Sequence, residues 1–101
     1  MENQHKKISG YRDLSQSEID LMNEIKAFGP QLESLVKKIE ARVQEQWFAA
    51  EESKWLSEGK DQKEYDRLEK AQPEHWAYNG EMRLKEGLMF LTRAVAQPES
   101  F

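Results

Sequence analysis

From Ile19 to Trp47 the apolar residues fall at steps of three and four: Ile19, Met22, Ile25, Phe28, Leu32, Leu35/Val36, Ile39, Val43 and Trp47. A helix turns once every 3.6 residues, so this spacing stacks them on one face, whereas a strand would need strict alternation. No other pattern restricts the fold as tightly. Gly29-Pro30 falls inside the run. Proline has no N–H, so the carbonyl of Lys26 loses its intrahelical partner and a kink is predicted there. The stripe stays in phase on both sides, which argues for a kink and against an end.

The flanks set the limits of this helix. Ser15 opens a Ser-x-x-Glu capping box with Glu18, and Leu14 and Ile19 stand where a hydrophobic staple would close. Residues 1–14 then form an extended leader with Gly10 as its flexible point, and a kinked helix occupies 15–50. Residues 51–72 are rich in charge and poor in large apolar groups. They read as a helical connector, with Gly59 and Asp61-x-x-Glu64 marking a turn and a newly capped helix. A last helix over 73–97 begins on Pro73, a residue suited to a first turn, and stops at Pro98. Within it Gly80, Gly87 and Ala94 lie seven apart. Each glycine costs a helix about 1 kcal/mol relative to alanine, so this line predicts close approach by another helix or by a flat ligand. The reading is an all-α single domain, 1–101.

The chain has 101 residues, 38% hydrophobic and 34% charged. Such a chain buries little by itself, so a compact homo-oligomer is expected to complete its core. The net charge of −4 argues against a DNA or RNA polymer as partner, because phosphate backbones demand a basic face. Three bases, Lys6, Lys7 and Arg12, nevertheless crowd the leader against two acids, Glu2 and Asp13. The absence of cysteine removes disulfides, thiolate nucleophiles and Cys-based zinc sites. No run is long and apolar enough to span a bilayer, so no membrane partner is expected.

Catalytic signatures are missing. The only histidines, His5 and His75, form no metal-ligand spacing, and there is no glycine-rich phosphate loop or Gly-x-Ser-x-Gly. The sequence predicts no enzyme, no metal and no cofactor, which leaves binding. Read one by one, Tyr11 packs on the helix start, Lys26 is a surface lysine opposite the stripe, and Arg12 is a generic leader charge.

The stretch "GYRDLSQSEIDLMNEIKAFG" and the later "EGLMFLTRAVAQPESF" together resemble the small phage anti-CBASS proteins that act as cyclic-oligonucleotide sponges. CBASS is a bacterial defence in which a cyclic nucleotide alarm activates a cell-killing effector. The resemblance covers both ends of the chain and is weaker through the charged middle. It implies a helical protomer that assembles into a hexamer in the cytoplasm of an infected bacterium. There it would capture cyclic dinucleotides such as 3′,3′-cyclic GMP-AMP (cGAMP) between protomers without cleaving them. It further implies that Tyr11 stacks on a base and Lys26 pairs with a phosphate, with Arg12 and Asp13 second in rank by position.

Reach favours a shared site. Lys26 lies eleven residues beyond Ser15, roughly 16 Å along a helix, and four extended leader residues span about 13 Å. A site using both residues is therefore more natural between protomers, where an isologous interface matches the approximate two-fold of the ligand. The resemblance also implies a cyclic trinucleotide site, which is degraded here. His75 stands where an arginine is expected, Gly80 is kept, and Glu81-Met82 replaces Lys-Thr. A mostly neutral imidazole and an added acid weaken a phosphate site, so trinucleotide binding should be weak or absent. A helical interaction or scaffold protein is the alternative function.

Overall fold

The computed structural model describes residues 12–99; residues 1–11, including Tyr11 and most of the expected leader, and residues 100–101 lie outside them. Three helices follow one another: α1 Gln16–Leu56, α2 Lys63–Ala71 and α3 Pro73–Ala96. No strand occurs among the described residues. The contacts divide the chain into two compact units, Met1–Leu32 with Arg83–Phe101, and Glu33–Met82.

The start of α1 is the capping box read from the sequence. The Glu18 N–H donates to Ser15 Oγ at 3.2 Å, and the Ser15 N–H donates to Glu18 Oε1 at 2.8 Å. Two donors at the helix start, which have no partner inside it, are thereby satisfied reciprocally. Helix α1 then carries Pro30 within it and continues to Leu56, past the expected end near residue 50. It stops in a Schellman motif. Gly59 N–H reaches the Lys54 carbonyl at 2.8 Å and Glu58 N–H the Trp55 carbonyl at 3.1 Å, with Glu58 at φ 55° and Gly59 at φ 84°. The stop signal is therefore the left-handed Glu58-Gly59 pair, and the charged residues before it remain helical.

In the unit Glu33–Met82, Val36, Val43 and Ala50 of α1 are buried at a seven-residue repeat, and Leu68 of α2 is only 1% exposed. Around them Trp47 meets the Tyr65 ring edge-on at 5.3 Å, and its Nε1 donates to Glu74 Oε2 at 3.0 Å. Lys54 Nζ sits 4.0 Å over the Tyr65 ring. One tryptophan thus contacts both α2 and α3.

The expected cap on α2 does not form. The helix starts at Lys63 behind Gln62, which makes no side-chain cap bond. Glu64 instead accepts from Arg67 Nε at 2.7 Å, so its carboxylate is turned along the helix and away from the start. Gln72, in the left-handed region, closes α2 by donating to the Leu68 carbonyl. Its own carbonyl accepts from His75 N–H at 3.1 Å, so it also opens α3 behind Pro73.

Among the described residues nothing lies within 4 Å of a Cβ built on Gly80 or Gly87, so the close approach expected at those glycines is not made by another helix of the same chain. The apolar stripe is also split: Val36 and Val43 are buried, while Phe28, Leu35 and Ile39 stay exposed, Phe28 by 56%. The stripe is wider than the face the chain covers by itself.

Candidate functional site

Lys26 lines a cleft of about 380 Å³ in the unit that pairs the first part of α1 with the last part of α3. Met22 and Ile25 form one wall with Gly29 at its end; Leu88 and Thr92 form the other. Thr92 Oγ1 donates to the Leu88 carbonyl at 2.9 Å, which turns its polar edge back onto α3. Asn23 and Lys26, three residues apart, share one edge of α1. No hydrogen bond or ion pair among the described residues holds the Lys26 ammonium. The cleft is therefore apolar along its walls and offers a cation and a carboxamide at its rim. Pro30 adds one more acceptor nearby, since the Lys26 carbonyl has no N–H donor four residues on.

One turn from this cleft, Arg12 ties the start of α1 to the end of α3. It pairs with Glu18 through both terminal nitrogens, Nη2 meeting Oε2 and Nη1 reaching Oε1 at 3.3 Å. The same Nη2 donates to the Val95 carbonyl at 3.0 Å, and Nη1 to the Asp13 carbonyl at 3.4 Å. Val95 lies in the last turn of α3, where carbonyls have no intrahelical partner. Glu18 is the acid in the first turn of α1. An acid at a helix N-terminus and a base at a C-terminus both suit the helix dipole. The Arg12 hydrogen bond and the Ser15 N–H together pull Glu18 down to a pKa of about 2, and Glu18 in turn raises Arg12.

The remaining sequence-derived residues are placed as follows. Tyr11 lies outside the described residues. Asp13 is exposed beside Arg12. His75 lines a recess of about 420 Å³ with Trp47, Leu68, Gln72 and two acids, Glu69 and Glu74. Its ring meets Trp76 edge-on at 5.3 Å, and the Asn79 amide donates to its carbonyl at 2.8 Å. Neither Gly80 nor Met82 lines that recess. A third groove, about 410 Å³, runs between α1 and α3 in Glu33–Met82, with Trp47, Phe48 and Tyr78 in its walls and Glu40, Glu51, Glu74 and Glu81 around them. Carboxylates around both of these cavities repel an anionic ligand, which the Lys26 cleft does not.

Sequence reasoning missed Met22, Asn23, Leu88 and Thr92 as parts of one cleft. The period placed Met22 on the apolar face, but only packing shows which residues of α3 oppose it. No protein-family model matches the sequence. A curated protein does: "Anti-CBASS protein 2" of Pseudomonas phage JBD67 is 40% identical over 106 residues, covering 98% of this chain and 98% of that protein.

The chain belongs to the anti-CBASS protein 2 family.

Because the match spans nearly the whole of both chains, membership extends to the charged middle as well as to the two ends. The Arg12 clamp and the Lys26 cleft are thus features of a chain in that family.

Proposed function

We propose that this protein counters CBASS in the infected cell's cytoplasm by sequestering cyclic dinucleotides such as 3′,3′-cGAMP, without cleaving them. The observation that carries this reading is the Lys26 cleft: a cation free of any partner among the described residues, at the rim of an apolar recess between α1 and α3. A cyclic dinucleotide offers two phosphodiesters and two bases about an approximate two-fold. Lysine pairs with the phosphate as a charge-assisted contact, and an aromatic ring at Tyr11 stacks on a base for about 1–3 kcal/mol. Two protomers related by a two-fold supply two of each.

Assembly into a hexamer belongs to the same proposal. Among the described residues, thirteen large apolar side chains are at least 43% exposed in the single chain, Phe90 by 64%. A homo-oligomer covers such surface, as does a protein partner in the scaffold reading. A cyclic trinucleotide is a poor ligand here, because His75 shares its recess with Glu69 and Glu74. Release of the dinucleotide intact fits a site built of stacking and ion pairing, in which the described lining residues include no carboxylate and no imidazole.

The test is a thermal-shift panel of cyclic di- and trinucleotides. A ligand that binds only the folded state raises the melting temperature at saturation. The expected result is a rise with 3′,3′-cGAMP, lost in Tyr11→Ala and in Lys26→Ala, and little or no rise with cyclic tri-adenylate. No rise with any dinucleotide would favour the scaffold reading instead.

A further inference from the structure

We propose that Asn23 is the residue that reads the base at the Lys26 cleft, and that its carboxamide selects adenine over guanine. The inference rests on the reading of that cleft as the capture site, and it uses residues of the cleft alone. Elimination carries the first half. Four of the seven residues that line the cleft have no side-chain nitrogen or oxygen. The Thr92 hydroxyl has its proton committed to the Leu88 carbonyl at 2.9 Å. Lys26 brings donors and no acceptor. Asn23 is left as the lining side chain with both a donor and an acceptor open, and no hydrogen bond among the described residues engages either.

Placement brings that carboxamide to a base. Asn23 and Lys26 are three residues apart on α1, which sets their Cβ atoms about 5–6 Å apart on one edge of the helix. In a nucleotide one sugar carries both the base and the phosphate, so a phosphate on the Lys26 ammonium keeps its base within reach of the neighbouring side chain. Asn23 is exposed, while Met22, Ile25 and Leu88 line the cleft. An apolar surface for the face of a base and a carboxamide for its edge therefore stand side by side.

Chemistry then selects the base. Adenine presents a donor, its N6 amine, beside an acceptor, N7, and a carboxamide pairs with both at once. Guanine presents two acceptors, O6 and N7, at the same edge, so the Asn23 oxygen would face another oxygen. A cation would suit two acceptors, but Lys26, the one cation in the lining, is taken by the phosphate in this reading. Guanine also carries an exocyclic amine and a ring N–H. Against Met22, Ile25 and Leu88 these find no partner, and a buried donor without a partner costs free energy.

The experiment titrates 3′,3′-cyclic di-AMP and 3′,3′-cyclic di-GMP into native protein, Asn23→Ala, Asn23→Gln and Lys26→Ala by calorimetry. One bidentate pair discriminates against the wrong base by roughly 5- to 150-fold, so native protein should favour cyclic di-AMP by at least that lower factor. Asn23→Ala should lose the preference by weakening cyclic di-AMP, and Asn23→Gln, which keeps a carboxamide, should keep part of it. Lys26→Ala should weaken both ligands alike. Because Asn23 is exposed and unpaired among the described residues, its truncation leaves the fold intact, which urea denaturation checks.

The 7-deaza analogue of cyclic di-AMP, which lacks the N7 acceptor, reads the contact itself. It should bind native protein more weakly than its parent does, and Asn23→Ala no more weakly, since both changes remove the same hydrogen bond. A general loosening of α1 would leave the analogue's penalty in place in Asn23→Ala. An equal ratio of the two ligands in native protein and Asn23→Ala, or a native preference for cyclic di-GMP, overturns the base-reading role while the capture site stands. Failure of native protein to bind either dinucleotide removes the capture site, and the role of Asn23 with it.

Discussion

Replacing Lys26 by alanine should remove binding and leave the fold alone, and the structure sets the size of both effects. The Lys26 side chain is exposed, with no hydrogen bond or ion pair among the described residues. Its truncation therefore costs the chain no more than about 0.5 kcal/mol, the usual range for an exposed site. Each hydrogen bond to a charged group contributes about 1.5–3 kcal/mol. At 1.4 kcal/mol per factor of ten, one lost contact weakens binding roughly 10- to 150-fold. A two-fold ligand engages two lysines, so a substitution present in every protomer removes both contacts, and the loss compounds to about 10²- to 10⁴-fold. Titration calorimetry with 3′,3′-cGAMP at fixed salt reads the affinity, and urea denaturation reads the stability. Lys26→Arg should keep most of the affinity, since it keeps the charge at the cleft rim. A Lys26→Ala protein within threefold of the native dissociation constant, at native stability, would refute the assignment of this cleft.

Leu68→Ala should cost about 2–5 kcal/mol, because Leu68 is the one large side chain fully buried among the described residues. Urea midpoints at a fixed protomer concentration check it, and a loss under 1 kcal/mol would mean that the site refills. Acid should weaken the clamp: Glu18, held at about 2 against an ordinary 4.5, contributes stability that is complete above pH 4.5 and fades as pH falls toward 2. The stability gap between native protein and Glu18→Gln should accordingly be constant above pH 5 and close below it; a gap that persists at pH 2 contradicts the pairing. The native chain should run as a hexamer in light scattering, and Phe90→Asp should reduce the assembled mass, since Phe90 is exposed by 64% in the single chain. A native monomer would refute assembly.

Local signals were legible in the sequence where one helix settles them. The capping box formed between Ser15 and Glu18 as read, since both partners lie within one turn. The period from Ile19 to Trp47 likewise identified α1, and the run of phase across Gly29-Pro30 anticipated that the helix would pass the proline. The end of α1 was not legible. Glu58 takes a left-handed conformation that costs a glutamate more than a glycine, so the turn appeared to belong to Gly59 alone. Asp61-x-x-Glu64 has the letters of a cap, but Arg67 lies one turn on and captures the carboxylate. At the candidate site the same divide holds. Lys26 stands out by resemblance, whereas Arg12 ranks only second, by position, because its decisive partner, the Val95 carbonyl, is a backbone atom 83 residues away. No periodicity encodes a contact of that kind.

The central claim is capture without destruction, and recovery of the ligand tests it most directly. The protein is incubated with an equimolar amount of 3′,3′-cGAMP, the free nucleotide is measured after filtration, and the retained fraction is denatured and chromatographed. The account predicts depletion of free ligand followed by its full recovery as the intact cyclic dinucleotide, with the depletion lost in Lys26→Ala. Free ligand left undiminished, or recovery of a linear or mononucleotide product, would contradict it.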